Sequence, residues 1–197
     1  IKKADVDNLF FDITTFQKRV LNDSDWPAAT VANTLLTETL SSKIFGEARE
    51  RGLAYSMGSG FGQYKSYVDW GIGGNAQQDN LPALTDIIVR EIGKLIAGDV
   101  SDEDIETAKQ YGLGRFQRSA QTVDDVVSGY SSRYFFEGRI SDYFGFPERL
   151  TKVRKDKVVE VMYDMFASST WGLGVLGTAE PSLITDISNN ISKLWQI

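Results

Sequence analysis

Arg49, Arg51 and Tyr55 are the residues of this chain whose types and spacing best suit the binding of a polar ligand. They stand where a helical pattern gives way to an alternating one. A guanidinium can donate two parallel N–H groups to a carbonyl or carboxylate, and a phenol adds an O–H donor. A structural role is also consistent, because basic residues near a helix C-terminus complement its dipole and a tyrosine at a strand start often packs. Residue chemistry alone favours the structural role.

The residue types that are missing exclude several kinds of catalysis. The chain has no histidine and no cysteine, which excludes Ser-His catalysis, a thiolate nucleophile and a zinc site built on paired histidines. Acidic pairs such as Glu103 and Glu106 are typical of a solvated helix start, where carboxylates complement the dipole. The glycines of MGSGFGQ are not followed by the Lys-Ser/Thr and helix of a phosphate loop, and they indicate a bend near a strand.

The elements that position the arginines and the tyrosine can be predicted from the spacing of hydrophobic residues, which repeats every 2 residues in a strand and about every 3.6 residues in a helix. Residues Leu9–Phe16 are rich in aromatic and β-branched types and predict a first strand. An apolar helical stripe follows from Pro27 to Leu40, and its opposite side, mostly Thr, Asn and Glu, is predicted to be wet or to face a polar cavity. Gly52 is predicted to end the helix that carries Arg49.

A hairpin and a group of helices are predicted beyond Gly52. Alternation from Leu53 to Phe61 and again over Tyr67–Ile72 predicts two paired strands. Capping residues and apolar stripes predict the later elements, which are a helix ending at Gly98, helices opened by Ser101, Thr122, Pro147 and Asp156, a strand over Trp171–Gly177 and a helix over Glu180–Trp195.

This order, strand-helix-strand-strand-helices-strand-helix, predicts the α+β class, with a mostly antiparallel sheet and helices packed mainly on one face. Residues 1–197 are predicted to form a single domain, because no linker or low-complexity tract divides them. The net charge of -6 argues against a nucleic-acid partner. No apolar run approaches the ~20 residues that cross a bilayer, so no membrane association is expected. The absence of cysteine is compatible with the cytoplasmic location that we expect.

The segment Ser41–Tyr55, SSKIFGEARERGLAY, resembles the helix-to-strand junction in the C-terminal domain of insulinase/pitrilysin-like zinc metallopeptidases, which are related to mitochondrial processing peptidase subunits. The downstream order of elements is also similar, including the helices SDEDIETAKQ and DKVVEVMYDMF, so the resemblance extends over essentially the whole chain. It implies that residues 1–197 are the C-terminal half of a two-domain peptidase. In such enzymes an H-x-x-E-H motif in the other half binds zinc.

The resemblance also implies which residues bind substrate. An Arg and a Tyr at this junction hold the peptide, and they correspond here to Arg49 and Tyr55. Family members commonly have one more residue between that Arg and G-L-A-Y, so the usual Arg position, measured back from Tyr55, falls on Ala48. Either a shortened turn keeps Arg49 in this role or Arg51 takes part.

The expected function is therefore that of a non-catalytic half, which encloses and positions an extended peptide for hydrolysis at a zinc site in the other half. The expected partners are the N-terminal zinc-binding domain, on the same chain or a separate subunit, and the peptide substrate; a homodimer is also possible. This chain alone is expected to be inactive and to bind no cofactor, with zinc in the partner half.

Two alternatives are consistent with the sequence. One is a peptidase-like structural or assembly subunit without a proteolytic role, which the shortened junction favours. The other is an unrelated α+β binding module, in which the first strand would not pair with the hairpin. The aromatic cluster of Tyr130, Tyr134, Phe135 and Phe136 favours core and helix packing over a chamber wall or a partner interface.

Overall fold

The computed structural model describes residues 8–119, 121–140, 142–167 and 169–196. At its centre is a four-stranded antiparallel sheet of β1 (Leu9–Gln17), β2 (Ser56–Gln63), β3 (Val68–Ala76) and β4 (Thr170–Leu176). The strands lie in the order β2-β3-β1-β4, so β2 and β4 are the edge strands. The structure confirms the predicted α+β class.

Helices occupy most of the chain between β3 and β4. The helices that start at Asp102 and Val123 begin with the capping boxes predicted at Ser101 and Thr122. No helix of the described residues is long and apolar enough to cross a membrane. The helices are α1 (Asp25–Asn33), which continues into a π-helical turn (Thr34–Glu38), α2 (Phe45–Glu50), α3 (Leu81–Ile96), α4 (Asp102–Arg118), α5 (Val123–Glu137), α6 (Phe146–Thr151), α7 (Lys155–Ala167) and α8 (Pro181–Ile191).

One face of the sheet forms the core with α1, α3 and α7. Because successive side chains of a strand point to opposite faces, burial alternates along β1 and β3, with Ile13 and Trp70 among the buried residues. The Thr15 hydroxyl donates to the Met165 carbonyl oxygen at 2.8 Å, which fixes α7 on β1. Phe166 of α7 packs edge-on against Trp70 with ring centroids 5.8 Å apart.

A buried polar network joins the end of α1 to the sheet. The Asn33 side-chain oxygen accepts from Trp70 Nε1 at 2.9 Å and from Ser59 Oγ at 3.1 Å. The Thr37 hydroxyl lies 2.8 Å from Ser59 Oγ. The prediction that the polar side of this helix is wet or faces a polar cavity is therefore wrong for Asn33, Thr34 and Thr37, which are buried. Their polar groups are tolerated in the core because they are hydrogen-bonded there.

The hairpin is formed as predicted, although its first strand begins later than Leu53. Ala54 is buried, whereas Tyr55 and Ser56 are both exposed, so alternation begins only within β2. β1 pairs with β3 from Leu9 opposite Ala76 to Gln17 opposite Val68. The unrelated binding module was expected to lack this pairing, so the sheet gives that alternative no support.

α5 buries none of its described side chains. Tyr134, Phe135 and Phe136 are 62%, 72% and 44% exposed, so the prediction that they pack in the core is wrong. The helix touches the rest of the molecule at a few places, including Tyr64, whose ring meets Phe136 edge-on at 5.8 Å. Sequence did not reveal this, because α5 has aromatic residues on several sides and no single apolar stripe.

Candidate functional site

The junction between α2 and β2 is fixed by backbone hydrogen bonds at the end of the helix. Gly52 has φ 65°, a left-handed conformation that glycine adopts without a Cβ clash. The Gly52 N–H donates to the Arg49 carbonyl at 3.0 Å, and the Leu53 N–H donates to the Ala48 carbonyl at 2.8 Å. This pair of bonds is a Schellman motif, so α2 ends where the sequence predicted.

Tyr55 lies between this helix end and β2, and its side chain is directed into solvent. The residue is 84% exposed, whereas the preceding Ala54 is buried. The Asn80 side-chain amide donates to the Gly52 and Leu53 carbonyls, each at 3.4 Å, and so holds the turn that precedes Tyr55. Asn80 was missed in the sequence because it stands far from the turn along the chain.

The two arginines of the junction have different surroundings. Arg51 donates to the Glu47 carboxylate at 3.0 Å, one turn back along the chain. Arg49 is exposed and has no side-chain hydrogen bond or ion pair to any residue that the structure describes. Of the two, Arg49 therefore has the guanidinium that is free to bind a ligand.

The usual position of the family arginine is occupied by a core residue. Ala48 is 0% exposed, and one residue along a helix corresponds to a rotation of about 100°. Arg49 consequently lies on the side of the helix that faces solvent, whereas Ala48 faces the core. A larger residue at position 48 would meet the core, so the arginine at this junction cannot lie there without a local rearrangement.

A network of ion pairs holds α2 on α3. The Glu47 carboxylate accepts from Arg51 and also from Arg90, which in turn contacts Glu91. Burial raises the pKa of Glu91, but hydrogen bonds and ion pairs with Arg90 and Lys94 outweigh it, so the net pKa lies below its usual value. The network anchors the helix that carries Arg49 without using Arg49 itself.

The residues of this chain do not fit a zinc site. Histidine and cysteine, the usual zinc ligands, are absent from the sequence. Within residues 8–119, 121–140, 142–167 and 169–196, no group of three acidic side chains lies close enough to hold a metal ion. Among the described residues, the exposed polar groups at the α2–β2 junction therefore have no metal-binding cluster beside them.

The structure is thus an antiparallel sheet with helices on one face and with an exposed arginine and tyrosine at the α2–β2 junction. The chain belongs to the peptidase M16 family: the model of the Peptidase M16 inactive domain matches residues 10–111. A search of the curated proteins gave no match. The match confirms the resemblance seen at SSKIFGEARERGLAY.

Solved structures share the fold at low identity. A chain of complex III2 from Candida albicans, with Inz-5 bound, is 14% identical with a TM-score of 0.78, over 98% of this chain and 48% of that one. A protease from Helicobacter pylori is 19% identical with a TM-score of 0.71, over 90% and 43%. A peptidase M16 inactive domain from Pseudomonas fluorescens is 16% identical with a TM-score of 0.72, over 91% and 43%. This chain thus spans less than half of each of the three.

Proposed function

We propose that this chain is the non-catalytic half of a zinc metallopeptidase, and that it helps to enclose an extended peptide and positions it for hydrolysis in the other half. The observation that carries the proposal is the pair of exposed polar residues, Arg49 and Tyr55, at the α2–β2 junction of a Peptidase M16 inactive domain. Zinc would be bound by the other half, since this chain has no histidine or cysteine.

The position of Tyr55 supports the binding of an extended peptide. Tyr55 directly precedes β2, which is an edge strand of the sheet. Edge strands present backbone N–H and C=O groups to which an extended chain can pair. A peptide along this edge would pass the phenol of Tyr55, whose O–H can donate to a peptide carbonyl.

Arg49 is the arginine that we assign to substrate. Its guanidinium has five N–H donors and no described partner, so it can donate two parallel bonds to a carbonyl or carboxylate without first breaking an ion pair. Arg51 would have to leave Glu47 to do the same. Positioning of this kind lowers the barrier of a reaction at a neighbouring site without supplying a reacting group.

The proposal is tested in the assembled protein that contains the half with the H-x-x-E-H motif. Arg49→Ala removes charge-assisted hydrogen bonds of ~1.5–3 kcal/mol and should lower kcat/KM for a peptide about 10- to 100-fold. Tyr55→Phe removes one neutral hydrogen bond and should lower it about 3- to 10-fold. Both values are measured with a fluorogenic peptide under identical zinc loading.

Arg51→Ala is the matched control, because it removes the same side chain two positions away and is expected to change kcat/KM less than 3-fold. Unchanged turnover in both Arg49→Ala and Tyr55→Phe would show that these residues do not hold the peptide. Chelator-sensitive peptide cleavage by the purified chain alone would contradict the non-catalytic role.

An assembly subunit without proteolytic role is the second candidate. Two observations favour it: Ala48 is buried at the usual arginine position, and one structural neighbour is a chain of complex III2. The same experiment separates the candidates, because an assembly subunit would bind its partner half with no peptide turnover in wild type.

A further inference from the structure

A cavity of about 370 Å³ lies where α1, α4, α5 and α6 meet. Cavities of roughly 300–1,000 Å³ are the usual size of small-molecule sites in proteins. Its described lining includes no residue of the α2–β2 junction, so it is separate from the site of Arg49 and Tyr55. We call it the arginine cavity, because two of the side chains that line it are arginines. Its walls include Thr30, Arg115, Phe116, Arg133, Tyr143 and Phe146.

The described lining of the arginine cavity contains two cationic residues and no acidic one. The charge of Arg115 is compensated from outside the cavity, because its guanidinium donates to the Glu38 carboxylate. Arg133 differs, since it makes no hydrogen bond or ion pair to any residue that the structure describes. The chain as a whole carries a net charge of -6. The uncompensated positive charge at Arg133 is therefore a local feature of this cavity.

Trp26 holds the Arg133 guanidinium at the wall of the arginine cavity. The guanidinium carbon lies over the indole ring, 5.7 Å from its centroid. Trp26 stands four residues before Thr30 on α1, so the two lie on the same side of that helix. A cation–π contact brings no carboxylate to the guanidinium and leaves its N–H donors available. The arginine is therefore held beside the cavity before a ligand binds, which reduces the entropy cost of binding.

Aromatic rings form the apolar side of the arginine cavity, which we call its aromatic wall. The Phe116 ring lies 4.9 Å from the Tyr143 ring and 5.2 Å from the Phe146 ring, centroid to centroid. Tyr143 also packs closely on α5, where a Cβ added at Gly129 would lie 2.8 Å from its ring. Aromatic side chains favour offset or edge-on contact with a further ring. The wall is therefore suited to the aromatic part of a ligand.

We propose that the arginine cavity binds a carboxylic acid with an aromatic body, with the carboxylate on Arg133 and the ring against the aromatic wall. A guanidinium and a carboxylate match in geometry and form two parallel hydrogen bonds. A singly charged group fits better than a phosphate dianion, because Glu38 already compensates Arg115 and one cation of the described lining remains. The acid is either a free small molecule or the C-terminal residue of a peptide, since both present the same groups.

A matched pair of ligands tests the carboxylate without any change to the protein. The full-length protein is treated with a chelator, so that no metal binds the acid, and is titrated in a calorimeter with hydrocinnamate and with hydrocinnamide. The amide has the same body without the charge, so its Kd should be higher by about 10-fold or more. Acetate, which lacks the ring, should also bind more weakly by about 10-fold or more. Equal affinity for the acid and the amide, or no binding of the acid, would overturn the proposal.

Variants of Arg133 place the carboxylate in the cavity. Arg133→Ala should raise the Kd for hydrocinnamate about 10- to 100-fold, because charge-assisted hydrogen bonds are lost. Arg133→Lys keeps the charge but loses the paired geometry, so the Kd should rise only about 3- to 10-fold. Arg154→Ala is the matched control, because that side chain is 82% exposed and lies outside the cavity. Equal effects of Arg133→Ala and Arg154→Ala would place the acid elsewhere. The comparison of acid and amide on wild type remains decisive if Arg133→Ala does not fold.

Hydrogen exchange shows which helices the ligand joins. α5 buries none of its described side chains. An acid between Arg133 and the aromatic wall links α5 to α4, so saturating hydrocinnamate should slow deuterium exchange of α5 amides by about 3-fold or more. Amides of α8, which does not line the cavity in the described part of the chain, should exchange at an unchanged rate. Binding without protection of α5 would contradict a site at this cavity.

Peptides distinguish the two sources of the acid. An N-acetylated tripeptide that ends in phenylalanine is compared with hydrocinnamate in the same titration. A Kd for the peptide that is lower by about 10-fold or more would indicate a site for peptide ends, and the reverse order would indicate a free acid. Amidation of the peptide C-terminus should weaken its binding by about 10-fold or more in either case. Inorganic phosphate bound as tightly as hydrocinnamate would overturn the choice of a carboxylate.

Discussion

Gly52 sets the direction in which the chain leaves α2 towards Tyr55. Its φ of 65° is strained for any residue with a Cβ, although a Cβ there would contact nothing within 4 Å. Gly52→Ala should therefore lower the free energy of unfolding by about 1 kcal/mol through backbone strain alone. Urea unfolding measures this change.

Gly93→Ala provides the comparison for Gly52→Ala. Gly93 lies inside α3 and its Cβ position is also open. Alanine should raise the free energy of unfolding there by up to about 1 kcal/mol, because helix propensity increases without a conformational conflict. Opposite signs for the two substitutions are expected. An unchanged stability for Gly52→Ala would contradict the expected backbone strain at position 52.

Single residues of the site differ in how far sequence could predict them. Gly52 could be placed because glycine at a helix end is a local signal, whereas Tyr55 was predicted inside a strand from Leu53 and lies just before β2. The choice between Arg49 and Arg51 depends on Glu47, which stands four residues before Arg51 and is recognisable as a helical ion-pair spacing. Arg90, which also contacts Glu47, could not be found, because only tertiary packing brings α3 to α2.

At the scale of elements, ionised Glu91 pairs with Arg90, the residue of α3 whose guanidinium also contacts Glu47 of α2. The pKa of Glu91 is below the usual value because Arg90 and Lys94 outweigh the effect of burial. A lowered folded-state pKa stabilises the fold above the unfolded pKa of about 4.3, and this contribution is lost as pH falls through the folded pKa. Glu91→Gln should therefore lower unfolding free energy at pH 7, with a difference that shrinks below about pH 4.

Urea unfolding at a series of pH values from 3 to 8 measures this difference. Glu50→Gln is the control, because Glu50 is exposed and has no hydrogen bond or ion pair to the described residues. It should change unfolding free energy by no more than about 0.5 kcal/mol at any pH. A Glu91→Gln difference that stays constant down to pH 3 would contradict the role of the charge.

Elements that are defined by local signals were predicted well. The capping boxes of α4 and α5 satisfy backbone groups within a few residues, so their sequence is sufficient to place them. The π-helical turn after Asn33 could not be predicted, because it brings Thr37 to Ser59 of a distant strand. The strand order β2-β3-β1-β4 likewise depends on long-range pairing, which hydrophobic periodicity does not encode.

At the scale of the whole molecule, hydrophobic contacts are unevenly distributed. The core lies between one sheet face and the helices, and α3 alone buries Leu84, Ile87, Ile88, Ile92 and Leu95. The other sheet face carries seven glycines among its sixteen register positions, and α5 leaves Tyr134, Phe135 and Phe136 exposed. Exposed aromatic side chains such as these are available for contact with another molecule.

This distribution predicts different opening free energies for α3 and α5. The side chains of α3 are buried in the core, so its backbone amides should exchange with deuterium only on global unfolding. None of the described side chains of α5 is buried, so this helix can open locally. In the chain alone, amides of α5 should exchange at least 100-fold faster than those in the middle of α3, measured by mass spectrometry. Similar rates in the two helices would mean that α5 unfolds together with the core, in conflict with its exposed packing.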